Sequence, residues 1–181
     1  PEDTIIDLVI EDDSRVATAY FIMSEDNIAK KIRQPWMAFG SDAESLAPEG
    51  VFLKSNPHPR TYGNFARLLG KYVREQQVIS LPEAIRRLTA FPADNLGLTG
   101  RGRLQPGYYA DIAVFDPATI SDHATFTEPH RYATGMHHVI VNGVPVLRDG
   151  EHTGATPGRF VRGPGASRPA ATQVASGSGG Q

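Results

Sequence analysis

Asp42 closes a run, Trp36, Met37, Ala38, Phe39, Gly40 and Ser41, that is apolar as far as Gly40 and then presents one carboxylate. An apolar run of that length without polar alternation reads as a strand buried on both faces, as in a parallel sheet covered by helices. In barrels of alternating strands and helices, an acidic residue at the C-terminal tip of such a strand lies on the face where chemistry is done. A carboxylate there can serve as general base and then general acid. Taken alone, capping a turn is the commoner role for such an aspartate. Arg60 follows the stiff segment Pro57, His58, Pro59. Its planar guanidinium can grip a carboxylate through two parallel hydrogen bonds, although an arginine in a polar loop is ordinarily just solvated.

Other chemistry-bearing residues fare less well. His58 could titrate near neutrality, but a histidine between two prolines is first a structural residue. Ser41 could orient Asp42 through a hydrogen bond. His137 and His138 are adjacent, and neighbours on a strand face opposite ways, so they cannot easily share one ion. His123, His130 and His152 have no metal-ligand spacing. Asp111 and Asp116 flank an apolar strand and are expected to satisfy backbone groups at its ends.

The elements that must position these groups are legible from pattern. Residues 16–23 read as a second buried strand. Ser24 then caps a short helix with Glu25 and Asp26 in its first turn and Lys30, Lys31 and Arg33 in its last, which complements the helix dipole. Pro35 stops it and the Trp36 strand follows, a right-handed crossover with parallel strands. A long loop with Pro48, Gly50, Pro57 and Pro59 leads to a helix over about 63–76, with Phe65, Leu68, Leu69, Tyr72 and Val73 on one side. Ser80 to Glu83 is a capping box that opens a helix whose apolar face is Leu81, Ala84, Ile85 and Leu88; Gly97 ends the helical region. Beyond Arg101 the style changes. Residues 109–116 read as a strand, and 138–141 and 144–147 as a hairpin turned by Asn142 and Gly143, with a further turn at Asp149 and Gly150.

Composition bounds the partners. The 181 residues are 40% hydrophobic and 21% charged, with net charge −2, an ordinary globular balance with no electrostatic bias toward nucleic acid or an anionic membrane. No apolar stretch is long enough to span a bilayer. Zero cysteines exclude disulfides and thiolate chemistry, which suits the cytoplasm, the expected location. The opening Pro1, Glu2, Asp3, Thr4 suggests a fragment or a cleaved piece. From Gly163 onward small residues dominate, so 163–181 is expected to be a disordered tail.

Together these stretches resemble the C-terminal part of the amidohydrolase superfamily, and more closely the N-acyl-D-amino-acid deacylases (D-aminoacylases). The likeness is carried by Met-Ser-Glu-Asp-Asn at 23–27, Gly-Ser-Asp at 40–42, Pro-His-Pro-Arg at 57–60 and Gly-Lys-Tyr-Val-Arg-Glu at 70–75. It continues in Ser-Leu-Pro-Glu-Ala-Ile-Arg at 80–86, Arg-Gly-Arg-Leu-Gln-Pro-Gly at 101–107, Ala-Asp-Ile-Ala-Val-Phe-Asp-Pro at 110–117 and Val-Asn-Gly at 141–143. The resemblance implies an α/β fold: the C-terminal part of a zinc-dependent (β/α)8 barrel over 1–100, with 16–23 and 36–40 as its seventh and eighth strands, then part of a small β-sandwich over 101–162. It implies that Asp42 handles protons beside the metal-bound water, that Arg60 binds the substrate's α-carboxylate, and that Tyr20 and Met23 line the pocket for its side chain. Core packing is an even alternative for those last two. The family's zinc ligands, an His-x-His pair, a cysteine and two more histidines, belong to earlier strands. Zinc would therefore be held by residues outside this chain, and the missing N-terminal part of the barrel is the implied partner. The expected activity is hydrolysis of N-acyl-D-amino acids, with the isolated chain inactive. Two other expectations stand beside it: a cyclic-amide hydrolase resembling dihydropyrimidinases or dihydroorotases, and a non-catalytic interaction or assembly module.

Overall fold

The structure, a computed structural model, describes residues 2–13 and 20–167. Helix α1, Glu2–Asp12, opens it with Glu2 and Asp3 in the first turn and buries none of its residues; Ile5, Ile6, Leu8, Val9 and Ile10 all stay exposed. Helix α2, Glu25–Ile32, is capped as its sequence implies: the Ser24 hydroxyl accepts from the Asn27 N–H at 3.3 Å. Its last residue, Ile32, is buried.

Among the described residues, neither expected strand around α2 forms a ladder. Of 16–23, residues 16–19 lie outside the described residues, and 20–23 carry no ladder bonds. Trp36 sits in a turn closed by the Met37 N–H on the Gln34 carbonyl, and 37–42 join no sheet. The physical reason is that a strand is made by its neighbours. Without parallel partners among the described residues, an apolar run has no ladder to enter, and its carbonyls must be satisfied otherwise.

A 3₁₀ turn, Gly50–Lys54, interrupts the long loop, and α3, Arg60–Arg67, then begins three residues before the expected 63. The chain keeps coiling through Leu68–Glu75 with the wider hydrogen bonding of a π-helix. Helix α4, Leu81–Leu88, has Ser80 as its cap, accepting from the Glu83 N–H. The other half of the expected capping box is absent, because the Glu83 carboxylate pairs with Arg86 instead. Helix α5, Ala90–Asn95, completes the helical part.

The β-region is a four-stranded antiparallel meander in chain order: β1 (Ile112–Phe115), β2 (Met136–Val141), β3 (Val144–Arg148) and β4 (Glu151–His152). The Asn142 and Gly143 turn has φ of 50° and 82°, and Asp149 with Gly150 repeats the pattern at 52° and 84°. Positive φ at both central positions matches the turn's twist to that of the strands. One core serves helices and sheet alike. Ile32, Ala66, Leu68, Leu69, Tyr72 and Ala84 pack with Ile120, and Phe115 and Met136 close over them. Gly135, with φ of +87°, makes this joint possible, because a Cβ there would lie 2.5 Å from the Ile120 nitrogen. Gly135→Ala is therefore expected to cost about 3 kcal/mol, from strained backbone plus a clash with main chain. Urea unfolding of the two proteins measures it. Of the tail expected to be disordered over 163–181, residues 163–167 are described and include the short 3₁₀ turn Pro164–Ser167, whereas 168–181 lie outside the described residues.

Candidate functional site

Asp42 and Arg60, eighteen positions apart in sequence, meet in space: Arg60 Nη2 lies 3.0 Å from Asp42 Oδ2. Asp42 adopts φ of 49°, a left-handed conformation that aspartate tolerates better than most residues but that still costs energy. Its side chain is 89% exposed, that of Arg60 40%. Arg60 is the first residue of α3, and its N–H donates to His58 Nδ1 at 3.1 Å. Burial first, and then the Arg60 charge, hold the His58 imidazole below its ordinary pKa. It is therefore neutral at physiological pH, as an accepting Nδ1 requires. The His58 ring also meets Phe126 edge to face at 5.0 Å, and Phe126 meets Phe21 at the same separation. His58 thus ties the start of α3 to Phe126.

Three side chains grip the main chain that leads into Asp42. Arg86 Nη2 donates to the Pro35 carbonyl at 3.3 Å, Arg87 Nε to the Met37 carbonyl at 2.7 Å, and Asn64 Nδ2 to the Gly40 carbonyl at 3.2 Å. Arg87 is wholly buried, also donates to the Ile32 carbonyl at 2.6 Å, and stacks its guanidinium 4.5 Å from the Phe39 ring. The sequence reading overlooked Arg87 and Asn64. Arg87 did carry a signal, since it follows the apolar face of α4 round to the inner side, three positions after Ala84.

The same helices are braced by charge. Glu25 accepts from Lys71 at 2.8 Å and from the Tyr72 hydroxyl at 2.9 Å, while Arg67 bridges toward Glu25 and Asp122. The Lys71 hydrogen bond is the main cause holding the Glu25 carboxyl below its ordinary value, and burial pushes the Tyr72 phenol up.

Tyr20 and Met23 are 77% and 60% exposed, so neither packs into this core. His138 accepts from the Asp149 N–H, while His137 on the other face of β2 is exposed. His123 bonds Thr134, and His152 accepts from the Gly154 N–H. Asp111 accepts from the Asn142 N–H and Asp116 from the Ala118 N–H, satisfying backbone as expected. Among the described residues no three His, Asp or Glu side chains come together to hold a metal ion. The residues present do not fit a zinc site. Shallow concavities lie beside Glu25, Lys30 and Gln76 and beside Leu104, Pro106 and Tyr109, away from Asp42. Asp42 stands on open surface, where a cleft requires an opposite wall from other polypeptide.

The chain belongs to the amidohydrolase family, whose model matches residues 10–147. Two relatives come from Alcaligenes xylosoxydans xylosoxydans. A D-aminoacylase is 42% identical over 142 residues, 78% of this chain and 28% of the relative. An N-acyl-D-aspartate deacylase is 37% identical over 173 residues, 92% of this chain and 33% of the relative. Among solved structures, the N-acyl-D-glutamate deacylase of Bordetella bronchiseptica, complexed with zinc and a phosphonate inhibitor that mimics the tetrahedral intermediate, superposes with a TM-score of 0.63 at 42% identity. That likeness covers 74% of this chain and 27% of that one. The chain spans about a quarter to a third of the length of the relatives it matches.

Proposed function

We propose that this chain is the closing portion of a zinc-dependent hydrolase that cleaves N-acyl-D-amino acids to a carboxylate and a free D-amino acid. In this reading residues 1–100 supply the last strands and helices of a (β/α)8 barrel and 101–162 part of a small β-sandwich. The tail 163–181 lies beyond both. The seventh and eighth strands, 16–23 and 36–40, would gain their ladders from the N-terminal part of the barrel. That part is the partner this chain requires, and it would also bring the zinc ligands. Location in the cytoplasm is part of the same reading; among the described residues no helix is long and apolar enough to cross a membrane.

One observation carries the assignment of roles: the 3.0 Å approach of Asp42 and Arg60. In an N-acyl amino acid the scissile nitrogen and the α-carboxylate hang on the same carbon, so nitrogen and carboxylate oxygen are only about 3 to 4 Å apart by covalent geometry. A group that holds the carboxylate and a group that protonates the nitrogen must then be near neighbours, as Arg60 and Asp42 are. Arg60 would present its fork to the substrate carboxylate, taking it in place of Asp42. Asp42, released, would accept a proton from the attacking water as the new C–O bond forms and return it to the amine nitrogen as the C–N bond breaks. Tyr20 and Met23, both exposed, would meet the substrate's side chain.

The test is hydrolysis of N-acetyl-D-amino acids, their L-enantiomers and dihydroorotate by the complete barrel and by this chain alone. Turnover confined to the linear D-substrates and to the complete barrel, lost with a chelator and regained with zinc, is the expected result. Metal-dependent turnover by the lone chain would refute the reading. The cyclic-amide alternative is not favoured, because the relatives that match most of the chain are deacylases of N-acyl-D-amino acids. Nor is an assembly module, since it gives no reason for the Asp42 and Arg60 pair.

A further inference from the structure

We infer that Arg87 and Asn64 are positioning residues for Asp42, gripping by its carbonyls the segment that bears that carboxylate. The inference rests on the role proposed for Asp42 and adds what aims it. A barrel strand is located sideways by its ladder, but a ladder leaves the approach to the strand unspecified. Here the corner between α2 and the Asp42 segment is held by one buried guanidinium, that of Arg87, with Arg86 on the Pro35 carbonyl beside it. Arg87 ties the Ile32 carbonyl, at the end of α2, to the Met37 carbonyl, at the start of the segment, with bonds of 2.6 and 2.7 Å. The face of the Phe39 ring against the same guanidinium fixes a third point. Lysine cannot substitute, because one compact ammonium lacks the planar fork that meets two carbonyls at set angles. Charge alone does not explain the group: the nearest carboxylate oxygen, on Glu83, is 4.0 Å away, and a fully buried arginine is rare unless its donors are used.

Asn64 holds the other end. Its bond to the Gly40 carbonyl falls two residues before Asp42. Asn64 lies one helical turn after Arg60 on α3, so the same helix presents the carboxylate-binding guanidinium and locates its acidic neighbour. Arg87 Nη2 remains buried without a partner among the described residues. The two N–H donors of that nitrogen are thus left for polypeptide that completes the barrel.

The experiment is a set of variants in the complete deacylase: Arg87→Lys, Asn64→Ala, Asp42→Asn, and each of the first two combined with the third. The active fraction is normalised to folded protein by near-ultraviolet circular dichroism. Positioning predicts that Arg87→Lys lowers kcat at least tenfold and Asn64→Ala three- to tenfold, with KM within about twofold. It also predicts that neither change costs more than twofold once Asp42 is already asparagine, because the group being aimed is gone. Amide exchange over 38–42 should quicken in both variants while α3 and α4 keep their protection. A kcat within twofold of the parent, or losses that persist undiminished on the Asp42→Asn background, would overturn the inference. Should Arg87→Lys fail to fold, Asn64→Ala, a half-buried site on a helix flank, carries the same test. If Asp42→Asn itself retains full activity, the proposed function is at fault, and the exchange measurement still decides whether the segment is held as described.

Discussion

Asp42→Asn in the complete form of the proposed deacylase is expected to lower kcat by about 10²- to 10⁴-fold with little change in KM, the range over which a positioned proton carrier contributes. Asparagine keeps the shape and a carbonyl acceptor for Arg60 but cannot take a proton from water or return one to nitrogen. Steady-state release of the free amine measures it. A rise in KM with kcat intact would mean that Asp42 binds and does not shuttle. The left-handed φ of 49° at this position strengthens the choice of variant, since asparagine tolerates that conformation as well as aspartate does.

Arg60→Ala is expected to act on the other kinetic constant. Hydrogen bonds to a charged group are worth about 1.5 to 3 kcal/mol, so kcat/KM should fall about 10- to 150-fold, chiefly through KM. The same variant should hydrolyse the α-carboxamide analogue of the substrate nearly as well as the parent, because that analogue offers no anion to grip. Comparable losses on acid and amide would mean that Arg60 serves the fold. Arg60→Lys should recover only part of the binding, since it keeps the charge and loses the fork.

The residues proposed for the chemistry could be picked out of the sequence more readily than the framework that holds them. Local signals read true wherever the cause was local. Ser24 and Ser80 cap helices through bonds to residues three positions on, and Asn142 and Gly143 turn a hairpin through their own dihedral angles. Asp42 and Arg60 could be singled out because each follows a rigid or apolar run, but nothing in either run states that they pair. The expected strands at 16–23 and 36–40 are a different matter. Their composition reports the burial they would have in a full sheet, whereas the described chain leaves them unladdered, with Trp36 and Phe21 exposed. Apolar content speaks of an assembly larger than the segment. Helix α1 was missed because its Ile and Val content carries no cap signal and it buries nothing. Arg87 was missed because its place three positions after Ala84 marks an inward face of α4 but says nothing of the Ile32 and Met37 carbonyls that it binds.

The joint at Ile120, where α3, α4 and the sheet press on one residue that is 1% exposed, bears on how genes of this kind can be recombined. A chimera spliced at residue 101 would exchange the meander and leave the helices without the Ile120, Phe115 and Met136 hydrocarbon that covers them, so the two parts would have to be swapped together.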